Sequence, residues 1–178
     1  MSGSASGAPA VRRPLIVTAE MGGEDQAWLD RLRRAHYPPE RNQLAAHLTM
    51  FHALPASLEG EARHRLGDAA KAKPPRAEIA GLMDLGGGVA FRIVSDDLGA
   101  IRDDLAEAFR GSLSAQDCGG WRPHVTIQNK VAPKAARALL AELQSGFAPR
   151  RLVIKGLGLH RYLGGPWENL AAFSFRGR

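Results

Sequence analysis

The chain has 178 residues, 44% hydrophobic and 24% charged, the make-up of a globular domain with enough apolar material for one core. No apolar run approaches the roughly 20 residues that cross a bilayer, so we expect no membrane span. The single cysteine, Cys118, excludes an internal disulfide and suits a cytoplasmic protein, and the net charge of +6 favours anionic partners.

Residues 1–12, rich in Gly, Ser and Ala, read as a disordered tail without the apolar core of a secretory signal. A single domain is expected over 13–178. PLIVTAEM (14–21) reads as a short buried strand closed by Gly22-Gly23. From Glu24 to His36, Trp28, Leu32 and Ala35 recur on one stripe among charges, which predicts an amphipathic helix with RLRR (31–34) on its solvated face. Pro38-Pro39 ends it. LAAHLTMFHAL (44–54) alternates as a strand. Leu44, Ala46, Leu48 and Met50 point one way, His47, Thr49 and Phe51 the other, and His52 falls opposite His47. Ser57 is a candidate N-cap for a helix running to about Lys71, and RAEIAGLMDL (76–85) is the next strand.

After Gly86-Gly87-Gly88 the cycle restarts. VAFRIV (89–94) is a strand, Ser95 caps a helix over 96–110, and WRPHVTIQNKV (121–131) is a strand. In that strand His124, Thr126, Gln128 and Lys130 share a face. Pro133 starts a helix and Gly146 ends it. Strands over 151–163 and 167–176 complete the chain.

The order strand, helix, strand, helix, strand therefore occurs twice. HLTM at 47–50 returns as HVTI at 124–127. Ile79-Ala80-Gly81-Leu82 resembles Ile154-Lys155-Gly156-Leu157, and the two lie 32 and 30 residues after their histidines. Two landmarks at matching offsets predict an internally duplicated, two-lobed α+β fold. The lobes would span approximately 14–85 and 88–176, about a pseudo-twofold axis.

Such an axis brings His47 and Thr49 to His124 and Thr126. Residues i and i+2 of a strand share a face, so each histidine lies beside its own threonine. One copy of this pattern means little, since polar residues on an exposed strand face are common. Two copies at equivalent places describe a site for a phosphodiester. One imidazole takes a proton from water, the other gives one to the leaving oxygen, and the hydroxyls donate to the phosphate. His124 is assigned as base and His47 as acid, an order that near symmetry leaves open. The scheme requires no metal or cofactor. Phe51, Trp121 and Tyr162 are candidates to stack on a base, and Lys130 and Arg161 to bind phosphate, each with a structural role as the alternative. Trp167 reads as structural, and Cys118 as an inert thiol.

His47-Leu48-Thr49-Met50 and Pro123-His124-Val125-Thr126-Ile127 resemble the paired HxTx signatures of the 2H phosphoesterase superfamily. That superfamily includes the bacterial 2′-5′ RNA ligase-like proteins and cyclic nucleotide phosphodiesterases. The resemblance runs from about residue 14 onward. It implies antiparallel sheets lining a central cleft, with helices on the outside, and catalytic roles for His47, Thr49, His124 and Thr126. It implies metal-independent opening of a 2′,3′-cyclic phosphate on a nucleotide or RNA terminus, or 2′-5′ phosphodiester chemistry. The partner would be a nucleotide or RNA with a cyclic phosphate or 2′-5′ linkage, and the protein a monomer. RNA ligation and non-catalytic RNA binding are the alternatives. One departure stands out: the ligase-like branch often has an arginine shortly after the second HxT, where this chain has Gln128, Asn129 and Lys130.

Overall fold

A computed structural model describes residues 13–178, so the expected tail lies outside the described residues. The strands are β1 (Leu15–Met21), β2 (Leu48–Leu54), β3 (Arg76–Asp84), β4 (Val89–Val94), β5 (His124–Gln128), β6 (Arg150–Tyr162) and β7 (Trp167–Ser174). The helices are α1 (Gly23–His36), α2 (Glu59–Ala69), α3 (Asp96–Ala108), α4 (Ala115–Cys118) and α5 (Pro133–Ser145). The fold is α+β, and the strand pairings are antiparallel.

The strand order is β2-β1-β6-β3-β4-β5, with β7 also on β6. It reads as β2-β1-β6 followed by its counterpart β3-β4-β5. The third strand of each sequence half therefore lies beside the first strand of the other half. β6 makes this possible by its length of 13 residues. Its start, Arg150–Val153, pairs with β3, and Ile154–Arg161 pairs with β1. The glycine segment between the sequence halves is the β3–β4 hairpin turn, closed by Leu85 N–H donating to the Gly88 carbonyl at 3.0 Å. Gly86 sits there at φ +80°, which a Cβ would strain. The halves interlock at this point rather than part.

Leu48 and Val125, the residues between each histidine and threonine, are fully buried in one core with Leu15, Val17, Ile127 and Leu157. Removing such side chains from water contributes about 1.5–3 kcal/mol each and fixes which face of β2 and β5 turns outward. Ser95 caps α3 as its sequence predicts, with Oγ accepting from Leu98 N at 3.0 Å. Pro133 and Gly146 bound α5. At the start of α2 the expected Ser57 cap is replaced by a 3₁₀ turn over Ala56–Leu58, with no side-chain cap.

Helix α1 buries a different face from the one its apolar stripe predicts. Asp25, Leu29 and Arg33 are buried, Trp28 and Leu32 only partly, and Ala35 is exposed. The buried carboxylate is satisfied: Asp25 accepts from Val153 N at 2.8 Å and from Arg150 Nη2 at 3.0 Å. The same helix shortens the strand expected over 44–54. Asp30 accepts from Ala46 N at 2.7 Å, and Gln26 Nε2 donates to Ala46 O at 2.8 Å. Those groups are unavailable to a ladder, and β2 begins at Leu48. Among the described residues no helix is long and apolar enough to cross a membrane.

Candidate active site

β2 and β5 lie at opposite ends of the strand path, yet they pack against each other. Side chains rather than ladder bonds join them. Trp121, just before β5, donates from Nε1 to Thr49 O at 3.0 Å. Arg33 of α1 donates from Nη1 to Thr126 O at 3.0 Å. Arg102 of α3 donates from Nε to Met50 O at 3.0 Å and from Nη2 to Asp117 O at 2.8 Å. His47, Thr49, His124 and Thr126 consequently line one cavity of about 300 Å³.

The two histidines are held alike. His47 Nδ1 lies 2.8 Å from Ala45 O, and His124 Nδ1 lies 2.7 Å from Arg122 O. A carbonyl only accepts, so each Nδ1 carries the hydrogen and each Nε2 is left for the cavity. His47 is pushed down to about 4, first by desolvation and then by the charges of Arg33, His160 and His124, against the bond to Ala45. His47 is therefore neutral at neutral pH.

Strand β2 is not regular. Thr49 pairs with Thr18 but Phe51 with Val17, so Met50 is an extra residue, and a second slip precedes Leu54, which pairs with Leu15. Each bulge shifts the side-chain alternation by one. Phe51 thereby turns into the core instead of the cleft, fully buried, with its ring 5.9 Å from Phe109 and under Arg102. It cannot stack on a substrate. His52 takes the cavity side in its place, the reverse of its expected face. Beneath it Asp117 accepts from His52 N at 2.9 Å, Ala53 N at 3.0 Å and His52 Nδ1 at 3.1 Å. Burial alone would raise the Asp117 carboxyl, but these bonds outweigh it and bring it down to about 2.

The sequence matches the family described as the 2′-5′ RNA ligase superfamily over residues 23–166. The chain belongs to this superfamily. No curated protein matches it. Among solved structures, TT0787 of Thermus thermophilus is similar at a TM-score of 0.66 and 18% identity, covering 93% of this chain and 99% of that one. E. coli LigT in apo form is similar at 0.57 and 17% identity, covering 93% and 99%. LigT complexed with 3′-AMP is similar at 0.55 and 16% identity, covering 92% and 98%. At such identities these likenesses show the fold.

In this superfamily member the remaining candidates separate. Trp121 lines the cavity, but its N–H is committed to Thr49. Lys130 lies past the end of β5 in a turn, at φ +61°, and does not line the cavity. Arg161 is ion-paired to Glu59 and Glu168, and Tyr162 is an exposed residue at the end of β6; neither lines the cavity. Three residues that the sequence left aside do line it: Trp167, His52 and Arg122. The Trp167 ring lies 4.6 Å from that of His47 and 5.3 Å from that of His160. Arg33, expected on a solvated face, is buried and stacks on Tyr37 at 4.2 Å. The alternation of β5 does give one signal for Arg122, which sits two residues before His124. Among the described residues no three His, Cys, Asp or Glu side chains cluster as metal ligands do.

Proposed function

We propose that this protein is a metal-independent phosphodiesterase that opens the 2′,3′-cyclic phosphate of a nucleotide or RNA terminus, with His47 and His124 as its acid–base pair. The observation that carries this reading is the matched tethering of two imidazoles that line one cavity, each Nδ1 on the carbonyl two residues before it and each Nε2 left free of that bond. Superfamily membership supports phosphoester chemistry. Solved structures of LigT hold 3′-AMP, NADP+ and ATP, and the shared fold supports a nucleotide as the partner here.

The order of the pair is the reverse of the sequence assignment. His47 is neutral, so its Nε2 accepts the proton from water as the water oxygen bonds to phosphorus. The phosphorus bond to one ribose oxygen breaks, and His124 Nε2–H gives that oxygen its proton. Thr49 and Thr126 hydroxyls donate to the non-bridging oxygens as charge grows there. One water is consumed, and both histidines recover their starting states by exchange with solvent. No step needs a metal.

His47→Gln and His124→Gln are each expected to lower kcat on nucleoside 2′,3′-cyclic phosphates by at least about 10²-fold. Full activity in both variants would end the reading. Incubation with RNA bearing cyclic-phosphate and 5′-hydroxyl ends separates hydrolysis from ligation, since only ligation lengthens the strand.

A further inference from the structure

Among the residues that line the cavity and that the mechanism does not use are His52 and Arg122. His52 is placed there by construction rather than by chance. The bulge at Met50 turns it to the cavity side, and the carboxylate of Asp117 binds its main-chain N–H, the next main-chain N–H and its Nδ1. The Asp117 side chain is fully enclosed, while that of His52, which lines the cavity, is 37% exposed. An ionised carboxylate only accepts, so Nδ1 of His52 carries hydrogen and Nε2 faces out. Arg122 is exposed, lies on the His124 side of the cavity, and its guanidinium makes no hydrogen bond or ion pair among the described residues.

An oriented imidazole and an unpaired guanidinium that line the same cavity as the proposed phosphodiester site suit a second phosphate. Protonation of Nε2 gives His52 a donor toward the anion, with the Asp117 carboxylate behind it to balance the charge. Arg122 offers a planar fork to two phosphate oxygens. His52 lies three residues beyond Thr49, roughly 10 Å at most at about 3.3 Å per residue, a span suited to one nucleotide step.

We propose that His52 and Arg122 form a second phosphate subsite, so that the preferred substrate carries a phosphate on its 5′ oxygen as well as the cyclic phosphate. This rests on the phosphodiesterase reading for what occupies the first site. The second phosphate is either the internal diester of an RNA strand or a terminal 5′-monophosphate. Asp117 is the positioning residue for His52.

The test is equilibrium binding of product-like nucleotides, which needs no turnover. Uridine 3′-monophosphate and uridine 3′,5′-bisphosphate are titrated into wild type, Arg122→Ala, His52→Ala and His52→Gln, with thermal melts to confirm folding. Wild type is expected to bind the bisphosphate about tenfold more tightly, and Arg122→Ala and the folded His52 variants to cut that preference to twofold or less. Equal affinity in wild type, or a preference kept in both Arg122→Ala and a folded His52 variant, overturns the subsite. A matching titration with the dinucleotide UpUp identifies the source of the second phosphate. Binding tighter than the bisphosphate assigns an RNA strand, and weaker binding a 5′-monophosphate. Turnover of the cyclic phosphates is assayed apart, so its absence sinks the phosphodiesterase reading while the binding result still decides the subsite.

Discussion

The indole N–H of Trp121 donates to the main-chain oxygen of Thr49 at 3.0 Å, and so ties the entry of one HxT strand to the start of the other. No ladder bond joins β2 to β5, which makes this tie a determinant of how the paired motifs face each other. Trp121→Phe keeps most of the apolar volume and removes the donor. It is expected to lower kcat about tenfold while costing only about 1 kcal/mol of stability. Steady-state kinetics beside a denaturant titration reads both. Unchanged kcat would mean that the alignment does not depend on this bond.

The lowered His47 dictates a pH profile. On the acid side of the kcat/KM profile, which reports the free enzyme, activity falls as His47 becomes protonated, near pH 4. A free histidine would lose activity near 6.5. An acid limb between 6 and 7 would remove His47 from the role of base.

Stability follows the same group. His47 has its folded value at about 4 and the unfolded reference at 6.5. Between these values the unfolded chain binds the extra proton, so stability falls as pH falls through that window. His47→Gln is expected to flatten the slope of unfolding free energy between pH 6.5 and 4. Asp117, lowered to about 2, adds an acid-labile contribution of the same sign below pH 4. Chemical denaturation at several pH values measures the two windows separately.

Phe51 separates packing from substrate contact. It is fully buried against Phe109. Phe51→Leu should leave KM within about twofold, while Phe51→Ala should lose about 3–5 kcal/mol of stability. A large rise in KM for the leucine variant, at unchanged stability, would contradict the core placement.

The paired HxT motifs are legible in the sequence because their chemistry and their burial coincide. Leu48 and Val125 anchor the strands, and the period of two sends histidine and threonine outward together. Alternation fails where β2 bulges. One inserted residue exchanges Phe51 for His52, and nothing in LTMFHAL marks Met50 as the extra one. The face of α1 escapes the pattern for another reason. Its buried side carries Asp25 and Arg33, whose partners come from β6, from β5 and from the loop after the helix. Hydrophobic periodicity does not register a buried charge with a distant partner. Lys130 leaves the expected strand face because β5 ends at Gln128.

With β6 bonded to both β1 and β3, it acts as the keel of the molecule. Neither half of the chain holds all the strands of a finished sheet. A fragment ending near residue 85 would leave one edge of β1 bare and strand β3 without its partners, so the halves should gain structure only when combined. The two histidines thus reach their places in one cooperative event. β6 contains neither histidine but joins the strands on both sides of it, so a change of twist within β6 is expected to move the two histidines relative to each other.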